Sequence, residues 1–451
     1  MNTIITPHKF SGVVRIPASK SHTIRALLIA SLAEGESRIY EPLESLDAAS
    51  CVQICRALGA DIIEIYGTTD NTGQEMSCET GSIRKSPLRE YRVRGIGGKI
   101  ACPQIPLDTG NSGTTLFFAL ALAALGKSPI TFTGDEQIKR RSAGTLLASL
   151  NDLGADVASN EGYVPATVCG PWRGGHTSIE CPTSQYLSAL LLAAPLAPAA
   201  AVTEIDVPLL YEKPYIEMTL SYLQAQRITF ECAEDFSYFR IPGGQHYNAV
   251  SRVVPADFSS AAFPALAAVV SGGTAILTGL DPQDTQGDKF FFDMLTQMGA
   301  EARWENTDGA NTVTVLCKRR LSGGIFDLNN TPDMLPAACI LGAYAQGETY
   351  LVNVENARIK ETDRIAVMAR ELGKLGVRCR ELSDGIVIQG SGGKIPCQKA
   401  PLLDGHGDHR IVMALACAAL GMQGPSEISD AEAADVTYPG FLDLLRAGNA
   451  D

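Results

Sequence analysis

The chain has 451 residues, of which 45% are hydrophobic, 19% charged and 6% aromatic, and its formal charge is −13. The length exceeds one ordinary core and points to two domains, and the composition excludes a disordered or fibrous chain. The acidic balance excludes general nucleic-acid binding, which needs a basic face to displace phosphate counterions, so any anionic ligand must meet a local positive cluster.

In chain order, the opening MNTIITPHKFSGVVRIP lacks the apolar run of a signal peptide. The longest apolar run, Ala189 to Val202, is broken by Pro195 and Pro198, so no membrane span and a cytoplasmic protein are expected. From residue 25 onward one pattern occurs in six copies, starting with RALLIASLAEGESRIYE and ending with RIVMALACAALGMQGPSEIS. The pattern is an Ala- and Leu-rich helix, in most copies a glycine, and a short β-branched strand. A second, amphipathic helix follows most copies and closes on Leu-Gly-Ala or a relative. Gly59, Gly154, Gly299 and Gly376 there suit left-handed helix caps. The later copies recur about every 75 residues, and insertions such as residues 66–98 spread the earlier ones. Helices apolar on every face must be buried, and their alanines allow close packing. The expected fold is therefore α/β, with rings of inner helices wrapped by sheets, three units in each of two domains.

Polar clusters fall where these helices begin. Lys20, Ser21, His22 and Arg25 open the first; Asp108, Asn111, Ser112, Gly113 and Thr114 the second; Thr183, Ser184 and Gln185 the third. Asp257, Ser259 and Ser260 open the fourth, Asp333 the fifth, and Asp408, His409 and Arg410 the sixth. N-capping explains hydroxyls and carboxylates at such positions. It does not explain Lys20, Arg25 or Arg410, because a cation opposes the helix dipole there; a bound anion would. Lys360 and Arg364, read at i, i+4 on one helix face, repel each other and are better explained by a shared anion. Of Lys139, Arg140 and Arg141, one or two are expected to face the ligand.

Other motifs read as structural. The twelve cysteines are scattered and are expected to be reduced, buried thiols, with Cys51 and Cys55 at helical spacing. Asp404-Gly-His406-Gly-Asp408-His409 has the residue types of a metal site, but the adjacent arginine disfavours a cation. Gly95-Ile-Gly97-Gly98 lacks a phosphate-loop or dinucleotide fingerprint and reads as a turn.

The stretches SKSHTIRALLIASLAEG, DTGNSGTT, TGDEQIKRR, TSQYLSALLLAAPLA, EKPYIEMTL, NNTPDMLPAA, ENARIKETDRIAVMARELGKLG, GDHRIVMALA and TYPGFLDLL cover essentially the whole chain. In them the chain resembles the enolpyruvyl transferases, and RIKETDR with DHR points to the branch acting on shikimate 3-phosphate. The resemblance implies a two-domain inverse α/β barrel with three βαβαββ repeats per domain. Residues 1–18 and 256–451 would form one domain and 19–255 the other, with the active site in the cleft between them. It also implies carboxyvinyl transfer from phosphoenolpyruvate to the 5-hydroxyl of shikimate 3-phosphate, on the route to chorismate and the aromatic amino acids. The enzyme would be monomeric and cytoplasmic, use small-molecule substrates, and have no metal, organic cofactor, nucleic-acid or membrane partner. Carried over by motif, Lys20, Asn111, Gly113, Arg141, Gln185, Arg364, His409 and Arg410 would surround phosphoenolpyruvate. Ser21, Arg25, Thr183, Ser184, Gln185, Tyr215, Asp333, Asn356 and Lys360 would contact the acceptor. Asp333 would be the base, Glu361 and Lys20 the proton handlers at the methylene carbon, and His409 would orient Glu361 or phosphate.

Three positions depart from the family pattern. Phe117 stands where an arginine is usual, Val436 where a lysine is, and Glu212 where a serine binds the acceptor's phosphate. A carboxylate about 4 Å from a phosphate would cost about 4 kcal/mol per charge pair at an effective dielectric near 20. Either Glu212 turns away, with Lys213 or a neighbour substituting, or the acceptor differs. The departures leave open a paralogue using another hydroxylated acceptor and a non-catalytic ligand-binding relative.

Overall fold

The computed structural model describes residues 1–67, 87–307, 309–395 and 401–448. Its contacts divide the chain into two compact units. One comprises Met1–Pro17, Tyr211–Tyr215 and Pro255–Asp451; the other comprises Ala18–Leu210 and Ile216–Val254.

Each unit holds three inner helices. In the second they are Lys20–Leu32, Gly113–Ala123 and Ser184–Ala193, and in the first Phe258–Ser271, Leu335–Tyr344 and His409–Leu420. Every residue of Gly113–Ala123, Leu335–Tyr344 and His409–Leu420 is buried. A fully buried Leu, Ile or Phe contributes roughly 1.5–3 kcal/mol relative to exposure, so these helices supply the cores. In the first unit the three pack pairwise against one another. The expected glycine caps are in place: Gly59, Gly154, Gly299 and Gly376 all have positive φ.

Three sheets surround each set of inner helices. The repeat is clearest in the strands Gly175–Cys181, Val202–Leu210, Glu231–Cys232 and Tyr238–Pro242. The first pair is parallel, because an inner helix crosses between its strands, and the others are antiparallel. Two repeats take a strand from distant sequence. Ser251–Val253 pairs in parallel with Glu36–Tyr40, while Ser11–Arg15 pairs in parallel with Thr274–Thr278. The sixth repeat closes on the N-terminal strand Thr3–Ile5, antiparallel to Ser426–Ile428.

Several local expectations need correction. The stretch 66–98 contains the repeat strand Leu88–Arg94, paired with Asp61–Tyr66, and its residues 68–86 lie outside the described residues. Lys360 and Arg364 do not share a helix face: Glu355–Ile359 is a 3-10 turn and the outer helix starts only at Arg364. Of the ten described cysteines, all free, Cys51, Cys55, Cys181, Cys339 and Cys417 are buried but Cys232 is exposed. Cys78 and Cys397 lie outside the described residues. Gly95-Ile-Gly97-Gly98 is a turn, with Gly97 and Gly98 at positive φ. No described helix is long and apolar enough to cross a membrane.

Candidate active site

The inner helices begin within a residue or two of the polar clusters, and the caps follow from those residue types. Ser19 accepts from the His22 amide, Ser112 from Thr115, Asp257 from Ser259, and Asp408 from Arg410. Asp257 also accepts from the Ser260 hydroxyl at 2.9 Å, so Asp257 and Ser260 act as a cap.

In the first unit the side chains at these starts converge on Arg364, the first residue of the outer helix Arg364–Lys374 and fully buried. Its Nε donates to Asp408 Oδ2 at 2.8 Å and its Nη2 to Asp408 Oδ1 at 3.2 Å, a bidentate pair. Nη1 donates to Asp333 Oδ1 at 2.7 Å and Nη2 to Glu361 Oε2 at 2.5 Å. Asp333 lies in the 3-10 turn Pro332–Met334, and its other oxygen accepts from Arg410 Nη2 at 2.8 Å. Arg410 also donates to Ser259 Oγ. Burial alone would raise the Asp333 carboxyl, but Arg410, Lys360 and Arg364 outweigh it and hold the group well below the usual carboxylate range. Asp408 is lowered likewise, with Arg364 overcoming burial. His409 is buried, with Nδ1 4.0 Å from Asp408 Oδ1.

Lys360 has its own counter-ion. Glu212, 3% exposed and at φ +60, accepts from Lys360 Nζ and, at 3.4 Å, from Asn356 Nδ2. The segment Tyr211–Tyr215 is further tied down by Tyr211 to Glu355 and by the Tyr215 hydroxyl, which donates to Asp288 Oδ2 at 3.0 Å. Lys360 and Arg364 thus each have protein carboxylates as partners, Glu212 for the one and Asp408, Asp333 and Glu361 for the other. Arg364, Arg410 and Lys360 together face Asp333, Asp408, Glu361 and Glu212.

In the second unit Lys20 Nζ lies 3.1 Å from Asp47 Oδ2. Arg25 is buried; it donates to Thr219 Oγ1 at 2.9 Å, Ser188 Oγ at 3.3 Å and the Ser21 carbonyl at 3.2 Å, with its guanidinium over Phe118. Hydroxyls and a carboxylate of the protein thus meet the cations at this helix end. Gly113 lies under Arg141: a Cβ there would come within 2.6 Å of Arg141 Nη1. Of the neighbouring cations, Arg140 is exposed and Lys139 is spent on Glu136 at 2.7 Å. Asn111 Nδ2 donates to Asp135 at 2.8 Å and to Gln137 at 2.6 Å, and Gln185 Nε2 to Thr114 Oγ1 at 2.7 Å. Thr183 caps Ser184–Ala193 without a side-chain cap bond, its hydroxyl donating to Gln185 Oε1 at 3.4 Å.

At the departures, Phe117 is buried edge-on to Tyr186, ring centroids 4.9 Å apart, and Val436 is half-buried at the end of a 3-10 turn. Sequence reasoning missed Asp47, Ser188, Thr219 and Asp288; none carries a local signal beyond residue type. The Asp404 to His409 motif is bonded within itself and to its neighbours: Asp404 accepts from the His406 amide and the Ser429 hydroxyl, and His406 faces Glu371 at 3.3 Å.

A family model described as EPSP synthase (3-phosphoshikimate 1-carboxyvinyltransferase) matches residues 4–445. A 3-phosphoshikimate 1-carboxyvinyltransferase of Acetivibrio thermocellus is 45% identical over 445 residues, covering 98% of this chain and 97% of the relative. One from Ruminiclostridium cellulolyticum is 42% identical over 442 residues, covering 97% and 96%. Among solved structures, an EPSP synthase from Acinetobacter baumannii aligns with a TM-score of 0.78 at 26% identity, covering 99% of this chain and 98% of its own.

Proposed function

The chain belongs to the EPSP synthase family, an enzyme of the shikimate pathway that transfers the carboxyvinyl group of phosphoenolpyruvate to the 5-hydroxyl of shikimate 3-phosphate, and from that premise we propose how its residues perform the reaction. Its two-domain inverse α/β barrel is also the fold of the aligned EPSP synthase. Phosphoenolpyruvate is held by Lys20, Asn111, Gly113, Arg141, Gln185, Arg364, His409 and Arg410. Shikimate 3-phosphate is held by Ser21, Arg25, Thr183, Ser184, Gln185, Tyr215, Asp333, Asn356 and Lys360.

Asp333 takes the proton of the 5-hydroxyl as that oxygen bonds to C2 of phosphoenolpyruvate. The C3 methylene takes a proton from the Lys20 and Glu361 pair, giving a tetrahedral intermediate. Loss of phosphate and return of a C3 proton restore the double bond. The carrying observation is that one carboxylate, Asp333, is clamped by both Arg364 and Arg410. On accepting the proton Asp333 loses its charge, so both guanidiniums turn to the anion on which charge accumulates. Donor binding shifts them in the same sense and raises the basicity of Asp333. We propose a monomeric cytoplasmic enzyme. Phosphate release from phosphoenolpyruvate with shikimate 3-phosphate, and with unphosphorylated shikimate in parallel, tests the reading; turnover with another alcohol alone would overturn it.

Glu212 fits this acceptor because its charge is matched by Lys360, which removes most of the repulsion expected of an unpaired carboxylate. The pairing nevertheless occupies Lys360. Glu212→Ser is expected to lower the KM for shikimate 3-phosphate about tenfold by releasing Lys360 and Asn356. Glu212→Gln should give an intermediate value, and an unchanged KM in the serine variant would mean that Glu212 does not compete with the acceptor.

Gly113→Ala forces Arg141 away from its present position. We expect the KM for phosphoenolpyruvate to rise about tenfold or more through a lost charge-assisted hydrogen bond. The melting temperature should hold, since alanine suits the helix better than glycine. A KM equal to that of the parent enzyme would remove Arg141 from the donor site.

A further inference from the structure

Asp288, 1% exposed, sits in the 3-10 turn Gly287–Lys289 ahead of the outer helix Phe290–Met298. Its neighbours fix the turn on two sides. The Gln286 side chain accepts from the Phe258 amide at 3.0 Å and donates to the Ala256 carbonyl at 2.9 Å, tying the turn to the start of Phe258–Ser271. Gly287 lies so close to Tyr211–Tyr215 that a Cβ would come within 2.9 Å of Pro214 Cγ and 2.8 Å of the Asn330 carbonyl. The Asp288 carboxyl therefore has little freedom to swing away. Its Oδ2 accepts from the Tyr215 hydroxyl at 3.0 Å, while Oδ1 is buried and makes no hydrogen bond among the described residues.

We propose that Asp288 is a positioning residue whose protonation state decides whether the Tyr215 hydroxyl can donate to the acceptor. The inference rests on the assignment of Tyr215 to shikimate 3-phosphate above. A protonated Asp288 carboxyl donates to the phenolic oxygen and leaves the Tyr215 O–H to the acceptor. An ionised one can only accept and keeps that proton for itself. The proton exchanges with solvent, so no other reactant is needed.

The surroundings bring this titration close to neutral pH. Tyr215 contacts the carboxyl, and the charges acting on it are those of Asp333 from the turn before Leu335–Tyr344, Arg410 from His409–Leu420, and Asp257 from the start of Phe258–Ser271. Burial, then the charges of Asp333 and Asp257, push the Asp288 carboxyl up to about 7 against the opposing pull of Arg410 and the Tyr215 hydrogen bond. Ionisation there would leave Oδ1 charged, buried and without a hydrogen bond among the described residues, against the negative charge of Asp333.

The test is calorimetric binding of shikimate 3-phosphate, without the donor, at about pH 6 and about pH 8.5, which bracket this titration. The parent enzyme is compared with Asp288→Asn, which keeps the shape and supplies a permanent N–H donor, and with Tyr215→Phe. The acceptor's own phosphate ionisation is common to all three and cancels in the ratios. Affinity of the parent enzyme is expected to weaken about fivefold more between the two pH values than that of Asp288→Asn, the worth of one neutral hydrogen bond. Tyr215→Phe should show the small ratio of Asp288→Asn, and melting temperatures verify that both variants are folded. Equal pH ratios in the parent enzyme and Asp288→Asn overturn the inference alone. No binding to the folded parent enzyme at either pH overturns the acceptor assignment and the inference with it.

Discussion

Asp333→Asn is expected to lower kcat by about 10²- to 10⁴-fold, the usual worth of a general base, while the affinity for phosphoenolpyruvate rises. The opposite signs follow from the geometry. The carboxylate that takes the hydroxyl proton is also the counter-ion of Arg364 and Arg410, at 2.7 and 2.8 Å. An amide cannot take the proton, but neither does it compete with the donor's carboxylate and phosphate for the guanidiniums. Steady-state kinetics gives kcat, and a direct titration with phosphoenolpyruvate gives the affinity. If both fall together, Asp333 acts by shaping the site and not as the base.

Asp408→Ala is expected to destabilise the protein by about 4 kcal/mol, which for a unit of this size corresponds to about 10 °C in melting temperature. Most of the loss comes from Arg364, which stays fully buried without its bidentate partner. About 1 kcal/mol more comes from the lost cap of His409–Leu420. The pH dependence has a definite sign. Because Arg364 holds the Asp408 carboxyl below its unfolded value, its contribution is fully present above about pH 4 and is lost as pH falls further. The variant should therefore lose less stability than the parent enzyme on acidification, and thermal melts from about pH 6 to about pH 3 check this. A variant as stable as the parent enzyme at about pH 6 would mean that Asp333 and Glu361 alone satisfy Arg364.

Much of the architecture is legible in the sequence because its causes are local. An Ala- and Leu-rich apolar run reads as a buried helix, and this recurs at Lys20–Leu32, Gly113–Ala123 and their four counterparts, while Leu-Gly-Ala and its relatives mark the left-handed glycines Gly59, Gly154, Gly299 and Gly376 that close the outer helices. Serine or aspartate one residue before such a run marks its start, as Ser19, Ser112, Asp257 and Asp408 do. The positive charges near those starts are visible too. The sequence misleads at Lys360 and Arg364, which share no helix face because Lys360 follows the 3-10 turn Glu355–Ile359 and the helix starts only at Arg364.

What the sequence by itself determined, then, is six buried helices with polar starts and a supply of arginine, lysine and carboxylate near them. Only the tertiary structure decided which charge answers which. Lys360 meets Glu212 across 148 positions, Arg410 meets Asp333 across 77, and Arg25 meets Thr219 across 194. Helix and cap signals act over a few residues of chain, whereas Coulomb energy depends on distance in space, so a pairing made by folding leaves no periodicity to read. The same holds for Asp288, an ordinary aspartate in sequence until Tyr215 and Gly287 close around it.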